Sequence, residues 1–220
     1  MHPFHIAIDG PAGSGKSSIS KELAKQVGFI HLDTGAMYRA VTLLALEKNI
    51  TLDDPKAYEF LETSQFSYDH EKMFVNQRDV TEKIRSKEVT ENVSLVSSLK
   101  NVREVMVKRQ QEIASQQNCI VDGRDIGSVV LPNADLKIFL TAAVEERAKR
   151  RIAELHEDVP LEDMIEEIKI RDHKDSTREM SPLTKASDAI VIDTTYLTRQ
   201  EVIEAIVVEM NKRKKDDARY

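Results

Sequence analysis

The stretch DGPAGSGKSS, residues 9–18, follows a short apolar run and precedes apolar residues at helical spacing. Within it, GPAGSGKS fits the whole pattern G-x-x-x-x-G-K-[ST] of a phosphate-binding loop. The glycines permit a tight loop whose backbone N–H groups point at a β-phosphate, and the following helix adds its positive N-terminal end. The stretch therefore predicts a site for a nucleoside triphosphate, and it leaves open what receives the γ-phosphate.

The loop assigns a role to each of its polar residues. Lys16 is expected to reach the β- and γ-phosphate oxygens, and the Ser17 hydroxyl is a ligand for Mg²⁺. Asp33 and Asp122, both expected at strand ends, are alternative further partners of the magnesium ion. A glycine-rich turn needed only for folding would not explain Lys16. The predicted ATP-binding loop comprises Gly10, Pro11, Ala12, Gly13, Ser14, Gly15, Lys16, Ser17 and Ser18.

Short apolar runs alternate with helical patterns along the chain. They lie at residues 4–8, at the start of FIHLDTGAMYR (residues 29–39), and at 119–122, 136–140 and 189–193. This alternation predicts an α/β fold of the P-loop NTPase type, with a five-stranded parallel sheet flanked by helices. A turn at Thr34–Gly35 is expected before the second helix. The last helix is expected to begin with a capping box of Thr198 and Glu201 and to end in a solvated tail, KRKKDDARY.

Two segments interrupt this alternation within what we predict to be a single domain, residues 1–220. Residues 62–92 contain β-like runs around DHEK and near Val80, which predicts a small antiparallel insert. Residues 152–170 predict a charged helical hairpin, interrupted at Pro160, that would act as a lid. Both segments are interpreted as flaps that close over substrates, and surface decoration is the alternative.

Composition bounds the class of protein. The 220 residues are 40% hydrophobic and 32% charged, no apolar run approaches ~20 residues, and the start lacks the features of a signal peptide. Cys119 is the single cysteine, which fits a reducing cytoplasm. The net charge of −6 argues against broad binding to nucleic acid or anionic membranes, so positive charge for phosphates must be local. A monomer is the default expectation.

Arginine residues indicate the kind of phosphate acceptor. A kinase that acts on a hydroxyl group needs a carboxylate to take its proton, whereas a kinase that acts on a nucleoside monophosphate needs cations. Arg124 and Asp125 follow a predicted buried strand, at the sheet edge where open α/β folds bind ligands. Further arginines that could hold phosphate oxygens are Arg39, Arg103, Arg147, Arg150, Arg151, Arg171 and Arg178.

Together these motifs resemble the bacterial cytidylate kinase family. The resemblance rests on GPAGSGKS, LDTGAMYRA, NVREVMVKRQ, VDGRDIGSVVLP, DLKIFLTA, EERAKRR and RDHKDSTREMSPL, in order, from about residue 4 to 210. DGRDIGSVVLP and DTGAMYR are more specific than the phosphate-binding loop. The family resemblance implies transfer of the γ-phosphate of ATP to CMP or dCMP, with Mg²⁺.

The resemblance also implies residue roles. Ser94, Arg103 and Asp125 would bind the cytosine ring, although Ser97 and Ser98 are alternatives to Ser94. The other expected CMP-side residues are Arg39, Arg124 and Arg178 for the acceptor phosphate, Arg171 and Asp175 for the ribose, and Thr34, where relatives often have serine. Lys16, Arg124 and Arg178 would be catalytic. Arg147 and Arg151 are expected on the ATP side, the alternative being a solvated helix face that pairs with Glu145 and Glu146.

The chemistry of cytosine agrees with these roles, because its amine is a donor and its ring nitrogen and carbonyl are acceptors. Asp125 suits the amine and an arginine suits the acceptors, whereas uracil would turn a carbonyl towards Asp125. Two rival functions remain at this level. A kinase for a hydroxylated metabolite such as shikimate or gluconate would use Asp33 as base, and a nucleotide-dependent switch would hydrolyse ATP without any acceptor.

Overall fold

The computed structural model describes residues 2–69, 72–155 and 159–217. Residues 70–71 of the predicted insert and 156–158 of the predicted lid therefore lie outside the described residues. Within the described ranges, no helix combines the length and the apolar character that a membrane span requires.

The elements follow one another in the predicted alternation. The first part of the chain forms β1 (His5–Asp9), α1 (Lys16–Val27), β2 (Ile30–Asp33) and α2 (Thr34–Glu47). The middle part forms β3 (Phe66–Asp69), β4 (Lys72–Val75), β5 (Arg78–Asp79), α3 (Lys87–Val96) and α4 (Lys100–Ala114), with short 3₁₀ turns at Pro55–Leu61 and Lys83–Arg85. The last part forms β6 (Cys119–Gly123), a π-helical turn (Ile126–Val130), β7 (Leu136–Thr141), α5 (Val144–Leu155), α6 (Leu161–Thr177), β8 (Ile190–Asp193) and α7 (Arg199–Asp217).

The predicted five-stranded parallel sheet is confirmed. Its strand order is β2-β6-β1-β7-β8, so the strand that leads into the phosphate-binding loop is central. Every pair within it is parallel. The central strands read as apolar runs because both of their faces are covered by helices. Their carboxyl ends meet at one edge, which is where such sheets place ligand sites.

Apolar side chains cover both faces of this sheet. One layer packs Ala7, Leu32 and Val121 of the strands against α2, α3 and α4. The other packs Ile6 and Ile8 against α1 and α7. A separate small cluster of Ala148, Met164 and Ile168 joins α5 to α6, so the helical hairpin has its own apolar contact.

The insert contains the predicted antiparallel sheet. Its strand order is β3-β4-β5, and both pairs are antiparallel. The sheet ends at Asp79, and residues 83–85 and 87–96 that follow are helical. A helical hairpin is present as α5 and α6, with Pro160 at the N-cap of α6. Its helices begin earlier and end later than the predicted residues 152–170.

One local prediction needs correction. The expected turn at Thr34–Gly35 is absent, because Asp33 Oδ1 accepts a hydrogen bond from the Ala36 N–H at 2.8 Å and caps α2 directly. The expected solvated tail is exposed at residues 212–215, and it continues α7 as a helix through Asp217. The predicted capping box is confirmed: the Thr198 N–H donates to Glu201 Oε2 at 2.8 Å, and the Glu201 N–H donates to Thr198 Oγ1 at 3.3 Å.

Candidate active site

A cavity of about 1330 Å³ opens at the carboxyl ends of β1, β2 and β6. Among the residues that the structure describes, ten cationic side chains and five carboxylates line it. This excess of five positive charges occurs in a chain whose net charge is −6. The expected local concentration of positive charge is therefore present, at the edge of the sheet where the phosphate-binding loop lies.

The phosphate-binding loop lies between β1 and α1, and its glycines are needed for space and for conformation. A Cβ atom on Gly10 would lie 2.0 Å from the Leu140 carbonyl oxygen of the neighbouring strand β7. Gly15, the N-cap of α1, has φ +89°, which side-chain-bearing residues rarely adopt. The loop is thus held against the sheet, with the first turn of α1 beneath it.

Lys16 is buried at the start of α1. Its ammonium group donates to the Pro11 carbonyl at 2.7 Å and to Ser14 Oγ at 3.3 Å, so it bends back over the loop. Burial, and then the nearby Arg124 guanidinium, hold the pKa of Lys16 well below its usual range. A phosphate oxygen would offer this amine a stronger acceptor than either of its present ones.

Ser17 and two strand-end aspartates form the candidate magnesium environment. Ser17 Oγ donates to Asp33 Oδ2 at 3.1 Å, and Arg39 contacts the same oxygen at 3.2 Å. Burial raises the pKa of Asp33, but Arg39, His31 and the hydrogen bonds from the Ala36 N–H and Ser17 together lower it by more, so the net shift is downward. Asp122 accepts from His31 Nε2 at 2.5 Å. No cluster of three His, Cys, Asp or Glu side chains suited to a metal occurs in the described ranges. The cavity lining there offers oxygens from Ser17, Asp33 and Asp122.

Asp125 lies beyond β6, buried among arginines. Its carboxylate pairs with Arg103 Nη2, and Arg178 Nη2 lies 3.7 Å from its other oxygen. Arg103 also donates to the Ser97 carbonyl at 3.1 Å and lies over the Tyr38 ring at 5.3 Å. The pair is therefore fixed in place and lines the cavity, where a planar base could meet both groups.

Arg124, Asp175 and Arg171 form a second charged group. Arg124 Nε donates to Asp175 Oδ2 at 2.8 Å, which joins the end of β6 to α6. Burial raises the pKa of Asp175, but Arg124, Arg171 and Arg178 together lower it by more. Burial, and then Arg124, lower the pKa of Arg171 to about 10, and Arg171 Nε is buried without a hydrogen-bond partner in the described ranges. Such an unmatched donor suits an anionic or hydroxylated ligand.

The cavity brings together most of the residues predicted from the sequence. The lining includes all nine expected CMP-side residues: Thr34, Arg39, Ser94, Arg103, Arg124, Asp125, Arg171, Asp175 and Arg178. Ser97, an alternative to Ser94, also lines it. From the ATP side the lining includes Ala12, Gly13, Gly15, Lys16, Ser17, Ser18 and Arg151. Gly10, Pro11 and Ser14 lie behind these residues and shape the loop.

Arg147 lies next to the phosphate-binding loop but outside the cavity lining. It is buried and donates to the Ala142 carbonyl at 3.0 Å, the Ala12 carbonyl at 3.1 Å and Asp172 Oδ2 at 2.5 Å. It therefore braces the phosphate-binding loop from below and links it to α6. Arg150 donates to Thr194, and Arg151 to Glu154. The alternative of a solvated face that pairs with Glu145 and Glu146 is thus wrong for Arg147.

Sequence reasoning missed several side chains at the site. Tyr68 of the insert donates from its hydroxyl to the Asp33 carbonyl at 2.6 Å and lines the cavity. His31 holds Asp122, and Asp172 holds Arg147. Asp9 binds two backbone N–H groups beyond β6. Only Asp9 carried a signal, since it ends a buried strand directly before the loop.

The fold is shared with solved structures of low sequence identity. An uncharacterized protein from Eubacterium ventriosum ATCC 27560 has a TM-score of 0.56 at 13% identity, covering 94% of this chain and 98% of that one. A shikimate kinase from Bacteroides thetaiotaomicron has a TM-score of 0.50 at 12% identity, covering 96% and 98%. At such identities the likeness concerns the fold alone.

Sequence comparisons are more specific. The family model described as cytidylate kinase matches residues 6–212. A cytidylate kinase from Acholeplasma laidlawii is 53% identical over 94% of this chain and 95% of its own length. Those of Caldanaerobacter subterraneus subsp. tengcongensis and Fusobacterium nucleatum are 50% and 49% identical, each over at least 96% of both chains. With a phosphate-binding loop and an arginine-rich cavity on a matching fold, the chain belongs to the cytidylate kinase family.

Proposed function

We propose that this protein transfers the γ-phosphate of ATP to CMP or dCMP, giving ADP and CDP or dCDP, with Mg²⁺. Family membership supports a phosphotransferase, and one observation supports the acceptor above the others. The buried Asp125 carboxylate, between Arg103 and Arg178, faces the cavity that the phosphate-binding loop also lines. A carboxylate beside a guanidinium matches the donor and acceptors of cytosine.

On the donor side, the loop backbone and Lys16 are proposed to hold the β- and γ-phosphates. Ser17 would hold Mg²⁺, with Asp33 or Asp122 as a partner through water. The contact of Ser17 Oγ with Asp33 favours Asp33 in this role. When bound, Mg²⁺ neutralises charge on the β- and γ-phosphate oxygens. Arg151 lines the cavity and is proposed to meet ATP, whereas Arg147 is proposed to support the loop from behind.

On the acceptor side, Asp125, Arg103 and Ser94 are proposed to bind cytosine. Arg171 and Asp175 would bind the ribose. The acceptor phosphate would be held by Arg39, Arg124 and Arg178, with Thr34 nearby. Thr34 Oγ1 donates to the Asp122 carbonyl at 2.8 Å, so it joins the start of α2 to β6.

The proposed reaction is a direct in-line transfer. The acceptor oxygen is already anionic, so no general base is needed, and Lys16, Arg124 and Arg178 would stabilise the charge that spreads over the transferred group. Residues 152–170 would act as a lid that excludes water, and residues 62–92 as an insert on the acceptor side. The chain is proposed to work as one domain and as a monomer, since one chain supplies the whole proposed site. Its proposed setting is the cytoplasm, where its substrates are found.

The two rival functions are less well supported. A hydroxyl kinase would use Asp33 as base, but both oxygens of Asp33 are engaged, by the Ala36 N–H on one side and by Ser17 and Arg39 on the other. A switch that only hydrolyses ATP would not need the buried charged groups around Asp125 and Asp175.

The test is ADP release from ATP–Mg²⁺ in a coupled assay, with no acceptor and with CMP, dCMP, UMP, AMP or shikimate. Strong stimulation by CMP and dCMP, and weak stimulation by the others, is expected. Stimulation by shikimate would favour the hydroxyl kinase instead. The same ADP release with every acceptor and with none would favour the switch.

A further inference from the structure

Asp9 is a buried carboxylate that the proposed reaction does not use. It is the last residue of β1 and directly precedes Gly10, the first residue of the phosphate-binding loop. Only 4% of its surface is exposed. A buried carboxylate is costly unless it is hydrogen-bonded, so its partners indicate what it does.

Both partners of Asp9 are backbone groups of the segment after β6. The Ile126 N–H donates to Asp9 Oδ1 and the Gly127 N–H to Asp9 Oδ2, each at 2.8 Å. These two residues begin the π-helical turn Ile126–Val130, and the first N–H groups of a helical turn have no partner within it. Asp9 therefore supplies the acceptors from a different strand.

The segment that Asp9 holds carries the residues proposed to bind the acceptor. Arg124 and Asp125 directly precede the two bonded N–H groups. On the other side, the Asp125 carbonyl accepts from the Val129 N–H at 2.9 Å and the Val130 N–H at 3.2 Å. The backbone at Asp125 is thus held from both directions, at φ −141° and ψ 27°, which no regular helix or strand would impose.

We propose that Asp9 is a positioning residue for acceptor recognition. Its carboxylate fixes the backbone at Arg124–Gly127 relative to the first residue of the phosphate-binding loop. The distance between the groups proposed to bind ATP and those proposed to bind cytosine is thereby held constant. This inference rests on the proposed function, because that function assigns Asp125 to the recognition of the cytosine base. The inference adds Asp9, a residue that touches neither substrate.

Close packing leaves little room for another arrangement. A Cβ atom on Gly127 would lie 3.4 Å from Asp9 Oδ2 and 3.1 Å from Lys137 Cδ. Lys137 turns its amine away to Asp188, at 3.0 Å from Oδ1. The apolar stem of Lys137 and the Asp9 carboxylate thus enclose the Gly127 backbone.

The charge of Asp9 suits this role above about pH 6. The pKa of Asp9 is raised to about 6, because burial, with a smaller contribution from Asp125, outweighs the lowering by the Gly127 and Ile126 N–H groups and by Lys16. Asp125 and Lys16 are the charged groups that face it, since the Lys137 amine is bonded to Asp188. Once protonated, one carboxyl oxygen would become a donor and one of the two N–H groups would lose its acceptor.

The first experiment compares Asp9→Asn with Asp135→Asn. Asparagine keeps the size of the side chain and one acceptor oxygen, but it points an NH₂ group at one of the two N–H donors. Asp135 provides a matched control, because its Oδ2 accepts the His5 N–H at 2.6 Å at the other end of β1, away from the cavity. For Asp9→Asn we expect kcat/KM for CMP to fall about ten- to a hundredfold, as misplacement of binding groups by ~1 Å does.

The ratio of kcat/KM for CMP to that for UMP should fall in the same variant and stay unchanged in Asp135→Asn. A general loss of folded protein would lower both activities and leave this ratio unchanged. If wild-type protein prefers CMP and the CMP/UMP ratio of kcat/KM in Asp9→Asn equals that of wild type, the inference about Asp9 is overturned while the proposed function stands. Wild-type protein that does not use CMP would remove the proposed function and this inference with it.

A second measurement does not require the variant to fold. In wild-type protein, the backbone amide NMR signals of Ile126 and Gly127 should shift together with a midpoint near pH 6. Below that midpoint, the protection of both amides against hydrogen exchange, relative to an unstructured amide at the same pH, should decrease. Amide signals of Ile126 and Gly127 that stay constant while the carboxyl ¹³C signal of Asp9 titrates would overturn the inference.

Discussion

Ion pairs between arginine and aspartate side chains recur throughout this site. Arg103 pairs with Asp125, Arg124 with Asp175 and Arg147 with Asp172. The two residues of each pair are at least 22 positions apart in the sequence. Each pair therefore holds two separate parts of the chain together, in addition to neutralising two charges. Removal of one partner leaves a buried charge without its counterpart, and the cost of such substitutions includes this penalty.

Asp125→Ala should reduce the preference for CMP over UMP. The carboxylate is the proposed acceptor for the cytosine amine, and uracil would present a carbonyl there. Because such a mismatch in a buried site costs on the order of 1–3 kcal/mol, the CMP/UMP ratio of kcat/KM should fall by roughly 5- to 150-fold.

Asp125→Asn serves as a milder variant, since asparagine keeps one acceptor oxygen for Arg103 and Arg178 whereas alanine keeps none. Glu204→Ala is the control, because it removes an exposed carboxylate of α7 that contacts only Gln200 among the described hydrogen bonds. An unchanged CMP/UMP ratio in both Asp125 variants would remove Asp125 from base recognition.

Asp175→Ala should impair phosphorylation of CMP more than that of dCMP. The Arg124 contact of Asp175 serves both substrates equally, whereas a bond to the ribose 2′-hydroxyl serves only CMP. A hydrogen bond to a charged group contributes ~1.5–3 kcal/mol, so the CMP/dCMP ratio of kcat/KM should fall by about tenfold or more. Asp163→Ala, at an exposed position of α6, is the control. Equal losses on both substrates would contradict the 2′-hydroxyl contact.

The sequence predicts the residues of the cavity better than it predicts their partners. Arg124 and Asp125 were identified because they follow an apolar run that could be recognised as a strand. The pairing of Arg124 with Asp175, rather than of Asp175 with Arg171 four residues earlier, depends on how α6 lies against β6. Asp172 and Tyr68 carry no local pattern, since their partners Arg147 and Asp33 lie in other elements.

At the scale of elements, α5 and α6 are joined to the phosphate-binding loop by one buried side chain. Arg147 connects Ala12 of the loop to Asp172 of α6. The apolar contact of Ala148 with Met164 and Ile168 holds the two helices together. The proposed lid is therefore attached to the donor site at its base.

Asp172→Asn should loosen this attachment. Loss of the charged partner should lower the free energy of unfolding by about 1–3 kcal/mol, and water should reach the donor phosphate more often. We expect ADP release without acceptor to rise relative to release with CMP, together with a higher KM for ATP. Glu146→Gln, which removes an exposed partner of Lys149 on the same hairpin, should change neither. If the ratio of ADP release without acceptor to ADP release with CMP is the same in Asp172→Asn as in wild-type protein, the Arg147–Asp172 pair does not help to exclude water.

The elements themselves were predictable because their physical signals are local. Strands buried on both faces are apolar throughout, and the capping box of α7 lies within four consecutive residues. The start of α2 was not predicted correctly, because Gly35 favoured a turn in the sequence. In the structure the Asp33 side chain caps the N-terminus of α2, and the helix begins at Thr34. The length of α7 was missed because its last residues are charged and exposed while the helix continues.

For the whole molecule, Cys119 should report global unfolding. It is fully buried in β6, and burial, with a contribution from Asp135, raises the pKa of its thiol to about 12. At pH 8 only about one molecule in ten thousand would carry the reactive thiolate. Labelling by a thiol reagent should thus be slow in native buffer and fast in urea, and ATP with CMP should slow it further.

Because Cys119 is the only cysteine of the chain, the labelling refers to one site. Labelling in native buffer at the rate of a free thiol would show that β6 opens without global unfolding. The sheet order places β6 between β2 and β1, so such opening would break both pairings.

The cavity's excess of five positive charges also says something about the remainder of the surface. Since the formal net charge is −6, all residues outside the described lining must together carry about −11. The molecule is therefore a strong electric dipole with its positive pole at the cleft. An approaching polyphosphate is attracted into the cleft and repelled elsewhere, which orients the encounter before contact. On an anion-exchange resin the protein should adsorb through its negatively charged surface opposite the cleft, and the cleft should remain open to solution.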